Sequence, residues 1–408
     1  MGGSFDLSKA GTAVKPATLT LPTVAAATPS APANPAAPLV APQPPAFLSD
    51  DQAIAAVKLE RDAITRLDVM SAEFIVAIMT LDLRDQRFFE RAADIRNLGT
   101  EAVQASAETT ARLLDRPVGA LVRGGPAASS TVGENLAAVR READELNPSK
   151  QGDLANPRKL FGVIKTGDPL RMYFGRYESS QADINAVLLG LQVSQVDLRQ
   201  DNTYLDRERQ QVLQNIDLLR QYLYAAQRLE SSLVDRVLKT AANDPERARF
   251  VKDDLLSNAR QKVVDLTTHL GLSIADYMAI EAMERNNHEL IRGLDRAKVA
   301  IISTLRTATV AAQTAIEYKL ALDQITMLND PTLGAVATAP RGKNAPVPPA
   351  TGPDLSLLQV AFANLYATLD EVDAWRAKSS AAMTKIAAGL QSYLDRGKPV
   401  SLRGRGAR

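Results

Sequence analysis

A chain of 408 residues with 45% hydrophobic content is long enough for one large or two modest domains with a real core. Its 48 basic residues stand against 47 acidic ones, so no global field directs it to nucleic acid, an anionic bilayer or an acidic substrate. There are no cysteines, which excludes disulfides, thiolate metal sites and thiol redox chemistry together.

Aromatics make up only 5%, while Ala, Leu, Gln, Glu, Arg and Lys dominate the middle of the chain. That composition favours helix over sheet, and an all-α fold is expected: a long-helix bundle with coiled-coil-like antiparallel packing. The opening MGGSFDLSKAG lacks the basic and apolar regions of a signal peptide. No uncharged apolar run approaches the roughly 20 residues needed to span a bilayer. A soluble, cytoplasmic chain is expected, at most peripheral to a membrane.

In chain order, residues 1–47 are rich in Ala and Pro and almost uncharged, with nine of the 22 prolines. They read as a disordered or polyproline-like tail, with a proline-rich docking site or tether as the functional alternative. Order is expected from Ser49, a helix cap, through a helical body over 48–330. Its first part holds two or three helices with Gly99 as a break, then a loop around Gly124-Gly125-Pro126 and a short helix from Glu134 to Leu146.

Two long helices follow, about 170–242 and 273–329. In the first, Ile184, Leu191, Leu198, Leu205, Val212, Leu219, Ala226 and Leu233 recur every seven residues. The offset positions are Leu188, Gln195, Asn202, Arg209, Ile216 and Leu223, so the seam is apolar with a polar trio inside it. Such inserts fix register and partner at some cost in stability. Asp244-Pro245 is a cap and first turn. Gly271 then marks either a kink or a break, with Ser273 able to cap a new helix. The second seam runs Ile280, Met283, Asn287, Leu290, Leu294, Ala297, Ile301, Thr304, Ala308, Ala311, Ala315, Tyr318, Leu322, Ile325. A Pro-rich linker is expected over 331–353, a C-terminal helix packing back on the body over 354–395, and a basic flexible tail over 396–408.

Residues that could carry chemistry are few. The two histidines, His269 and His288, do not form a metal set, and phosphate loops, HExxH and G-x-S-x-G are absent. No cofactor, metal site or catalytic residue is expected. What remains are polar groups on or near packed faces: Arg171, Arg176, Tyr177 and Glu178 at the entry to the first long helix, Asn202 on its seam, and Asn286, Asn287, Arg292, Asp295, Arg296 and Arg306 on the second. Charges spaced three and four apart, such as Glu281–Arg285 and Glu289–Arg292, allow a self-neutralising ladder. Gly293, costly inside a helix, points to a neighbour packed against the backbone.

LRMYFGRYESSQADINAVLLGL, LRQYLY, ARQKVVDLTTHL, RNNHELIRGLDRAKVAIISTLRTATVAAQ, LDQIT and AFANLYATLDEVDAW, in that order, resemble the toxic anion resistance family typified by TelA. The resemblance covers about Leu160 to Leu390. It implies a bacterial, all-helical protein tied to resistance against tellurite and other envelope stresses, with no established catalytic residues. The chain departs from the pattern in the proline-rich stretch around Pro346-Val347-Pro348-Pro349 and in the added Ala/Pro tail. With no thiol to reduce tellurite, resistance is expected to be indirect. The expectation is a non-enzymatic scaffold acting through protein partners, with a homo-oligomer and a peripheral membrane face both open to it and without nucleic acid. The alternative is a small-anion or anionic-lipid binding module on the arginine-bearing helix around Asn287–Arg296, where guanidinium forks suit such groups.

Overall fold

The computed structural model describes residues 18–20, 38–41, 43–115, 128–152, 154, 159–160, 164–165, 168–240, 243–330 and 355–397. The expected linker 331–353 and nearly all of the basic tail lie outside the described residues, as does most of 1–37. The fold is all-α. Four short helices come first: α1 (Asp50–Ala56), α2 (Arg61–Met79), α3 (Gln86–Asn97) and α4 (Thr100–Leu113). They are followed by α5 (Ala128–Leu146), α6 (Pro169–Ser179), α7 (Gln181–Thr240), α8 (Pro245–Ile316) and α9 (Ser356–Gly397). Two-residue antiparallel pairs, Thr18–Leu19 with Val57–Lys58 and Lys159–Leu160 with Ile164–Lys165, are the strands among the described residues.

The helix starts follow from local chemistry. Ser49 and Gln52 form a reciprocal capping box, and Asp244 accepts from the Arg247 amide with Pro245 in the first turn. Asp85 and Asp168 cap α3 and α6 in the same way.

α7 and α8 form an antiparallel hairpin about 90 and 108 Å long. All eight heptad residues from Ile184 to Leu233 are buried along it. α9 runs back antiparallel along the opposite side of α8, so α8 is sandwiched over most of its length: Val372 lies against Gly293, Tyr393 against Gly271 and Ser379 against Asn286. α8 is therefore the central helix. It is also the one helix among the described residues long and apolar enough to cross a bilayer by length and composition, with 39% of its most apolar window buried.

Several expected boundaries differ. The first long helix is divided at Ser180 into α6 and α7, although hydrogen bonds from Ser180 N to Arg176 O and from Ile184 N to Ser180 O carry the chain across with little interruption. The second does not begin at Ser273. α8 passes straight through Gly271, through a π-helical turn over Val251–Leu256 upstream, and Ser273 is a buried interior residue. A Cβ at Gly271 would sit 3.2 Å from the Tyr393 ring, so the glycine makes room for α9 rather than ending a helix. Nor does α8 reach 329. It stops at Ile316, where Glu317 turns left-handed (φ 53°), and 317–330 is irregular apart from one 3₁₀ turn. Its seam residues Leu322 and Ile325 are still buried, and so is Leu320, so the apolar spacing persists without forming helix. Within the tail expected to be disordered, residues 38–41 and 43–47 lie against α8 and α9, as does Leu48 after it.

Gly99 and Glu317 occupy the same left-handed region with opposite consequences. At Gly99 (φ +68°) a Cβ would meet Leu266 Cδ2 at 2.8 Å and Tyr222 Cγ at 3.1 Å. Gly99→Ala is expected to cost about 2 kcal/mol in urea unfolding, from the conformation and the clash together. Glu317→Gly is expected to stabilise by about 1 kcal/mol, since only the backbone penalty is removed.

Candidate functional site

The polar residues singled out in the sequence fall into three groups. The first clamps the irregular segment 317–330 onto α6 and α7. Glu178 accepts from Tyr318 Oη (2.9 Å) and the Ala321 amide (3.0 Å), and Arg171 lies over the Tyr318 ring. Gln181 donates to Ala321 O and accepts from Gln324 N, while Asn185 accepts from Thr326. Arg306 reaches Leu328 O at 2.6 Å from α8. Arg171, Glu178 and Arg306 thus converge on one stretch of backbone that has no helix of its own to satisfy it.

Tyr177 belongs beneath this clamp. It is fully buried, its hydroxyl 2.9 Å from that of Tyr173, and both phenols donate to Leu146 O at the end of α5. Burial pushes both phenols up, Tyr177 well above the ordinary range, so they stay neutral donors. Arg176 faces outward to Gln151.

The second group is a ladder between α7 and α8. Gln195 donates to Asp295 Oδ1 (2.8 Å) and to Ile291 O, and accepts from Lys298 Nζ at 2.7 Å. Lys298, buried at 8% exposure, also pairs with Asp295 at 3.0 Å. Two turns on, Asn287 Nδ2 donates to Asn202 Oδ1 at 2.9 Å, and Asn202 lies 3.4 Å from His288 Nε2. Arg209 then bridges Glu284 (2.7 Å) and Asp206. All three polar positions of the first seam find a polar partner on α8. The residues missed from sequence are the partners Lys298 and Glu284, which spacing alone places on a charged face.

Deeper along α8, Asp276 is completely buried, with Thr110 Oγ1 2.8 Å from its Oδ2 and no partner at Oδ1. Ser106, Ser273 and Asn215 complete a small polar cluster beside it, with the Arg112–Glu208 pair (3.1 Å) nearby. Burial drives the Asp276 carboxyl well above the ordinary carboxylate range. Thr110 Oγ1 also lies 3.1 Å from Ser106 O and has one proton to give. A neutral acid that donates to Thr110 while Thr110 donates to Ser106 satisfies all of these distances. His269, also buried, packs against Gly397 at the end of α9, and desolvation lowers its pKa.

The third group lies between α8 and α9. Arg296 grips Glu371 with two bonds (2.9 and 2.7 Å), and Arg292 pairs with Glu289 at 2.7 Å. Those carboxylates in turn accept the backbone amides of Leu39 (Glu371, 3.1 Å) and Val40 (Glu289, 3.0 Å). Asn286 accepts from Ser379, its amide nitrogen buried without a partner. The arginines therefore hold carboxylates that hold peptide amides, a chain of contacts invisible to helical spacing. Gly293 has its close neighbours, Leu39 and Val372, each 3.2 Å from where a Cβ would be.

Among the described residues no group of three His, Asp or Glu side chains is placed to hold a metal. An apolar cavity of about 40 Å³ between α5, α7, α8 and α9 is far below the size of a cofactor pocket. Fold and site together define an all-α protein built on a long antiparallel helical hairpin with a self-matched polar interior. The chain belongs to the TelA family of toxic anion resistance proteins, whose model matches residues 82–335. The match begins at the α3 region, upstream of the motifs that carry the resemblance, and ends before α9. No curated protein and no solved structure matches the chain.

Two predictions follow from the interior. Gln195→Leu should destabilise the protein by about 1–3 kcal/mol by stripping Lys298 of an acceptor, and Lys298→Met in that background should recover part of the loss in a double-mutant cycle. For Asp276 the folded pKa lies above the unfolded one, so stability is lost as pH rises above about 4, where only the unfolded chain ionises. Asp276→Asn should therefore raise Tm at pH 7 by at least ~2 °C, with the gain shrinking towards pH 4.

Proposed function

We propose that this TelA-family protein supports tolerance of tellurite and related envelope stresses as a non-enzymatic scaffold, holding protein partners along its helical hairpin. One observation supports this best: the polar groups between α7 and α8 pair with one another at matched heights. Such an interior keeps a rod of about 100 Å in register and offers its outer faces to partners. Leu189, Val193 and Val196 lie on one exposed face of α7, at spacings that suit a partner helix.

A free-anion or lipid-headgroup role for Asn287–Arg296 has less support. Both guanidiniums already face carboxylates, and Asn287 is taken by Asn202. The proposed site of action is the cytoplasm, at or near the membrane face. Removal of the gene from its host should lower the tellurite concentration that permits growth several-fold, with restoration by the parent chain. Unchanged growth across tellurite and a panel of envelope stresses would reject the reading.

A further inference from the structure

The segment 38–48 reads PLVAPQPPAFL, and its described residues, 38–41 and 43–48, lie along the groove between α8 and α9. Polyproline-like chain makes no hydrogen bonds with itself, so a surface that holds it must supply them. Here the groove does. Glu371 and Glu289 accept the amides of Leu39 and Val40, Trp375 Nε1 donates to Val40 O at 2.7 Å, Arg292 reaches Pro38 O, and Tyr393 Oη reaches Leu48 O. Prolines at 38, 44 and 45 remove amides that would need further acceptors.

The apolar anchors sit at the two ends. Leu39 packs over Gly293 into the core around Leu294 and Val372, and Phe47 with Leu48 enters the core around Met383 and Leu390. A Cβ at Gly389 would clash with the edge of the Phe47 ring, whose centroid lies 5.7 Å from that of Tyr393. The geometry is commensurate: eight residues from Leu39 to Phe47 span about 25 Å of polyproline-like chain. The eighteen from Glu371 to Gly389 span about 27 Å of helix. Between the anchors Val40, Gln43 and Ala46 are exposed, Val40 at 60%, whereas Pro45 is buried.

An indole N–H donating to a carbonyl, aromatic rings and backbone-reading polar groups are the features with which proteins take up proline-rich ligands. We infer that the α8–α9 groove is a receptor for an extended proline-rich segment of a partner protein, with bulky apolar side chains about eight residues apart, and that residues 38–48 are its exchangeable internal occupant. This rests on the scaffold reading and names the chemistry of one partner. The occupant reaches the two core clusters near its ends, with Pro45 alone buried between them, so another proline-rich chain with the same spacing fits the same backbone acceptors and donors. The tethered segment competes at an effective concentration near the millimolar range.

The test uses full-length protein and a fluorescein-labelled peptide PLVAPQPPAFLS, read by anisotropy and by emission of Trp375, the only tryptophan in the chain. Leu39→Asp/Phe47→Asp in the protein should raise its affinity for the peptide at least tenfold over the parent. Adding Trp375→Phe, which keeps a ring but loses the donor, should reverse most of that gain. Should the doubly charged chain be unfolded by circular dichroism, Leu39→Ala/Phe47→Ala serves in its place. Absence of binding by the folded variant at 1 mM peptide, or equal binding of a scrambled peptide, would overturn the inference. A concentration-dependent dimer of the parent, lost in the strap variant, would give the groove to a second copy and overturn the partner assignment. Because binding is read on purified protein, its outcome is separate from that of the tellurite growth assay.

Discussion

Two antiparallel helices about 100 Å long can pair in many registers unless something other than apolar contact decides between them. The heptad seam of α7 would bury comparable surface after a slip of one heptad, about 10 Å. The polar rungs would not survive it. Buried Lys298 would move from Gln195 to the height of Leu188 or Asn202, and the half-buried Arg209–Glu284 pair would be broken. A buried charge stripped of its partner costs several kcal/mol. The groove between α8 and α9, the clamp on 317–330 and the cluster at Asp276 all require α8 to stand at one height, so they depend on those rungs.

The seams of α7 and α8 were legible because burial and spacing are local consequences of one another. The eight residues from Ile184 to Leu233, and the α8 seam from Ile280 to Ala311, needed only period and composition. Caps were legible for the same reason: Ser49 and Asp244 act within three residues of themselves. The end of α8 was not. Tyr318, Leu322 and Ile325 keep a spacing compatible with helix, and what draws the segment out of it is Glu178, Gln181 and Asn185, about 140 residues earlier. Gly271 misled in the opposite sense, because its purpose is set by Tyr393 on another helix.

The candidate site was legible in its residues but not in its chemistry. Arg292 and Arg296 stand where sequence reasoning placed them, yet their partners are Glu289 on the same helix and Glu371 on α9. The prolines of 38–48 correctly excluded helix, and that same property frees their carbonyls and remaining amides for contacts with side chains some 250 to 340 residues away. Asp276 gave no sign at all. An isolated aspartate between Ala275 and Tyr277 reads as solvent-facing, and only the approach of α4 from outside the hairpin encloses it.

The way residues 38–48 are held also determines what such a groove can discriminate. Its hydrogen bonds fall on peptide groups, which every chain carries, and its contacts with the two core clusters fall near two points set apart by rigid helix, with Pro45 buried between them. Polyproline geometry fixes the rise per residue, so the separation of those points is a count of residues. The surface works as a ruler: apart from buried Pro45 it is more tolerant of which side chains lie in between than of how many there are, so a one-residue deletion there would matter more than most substitutions.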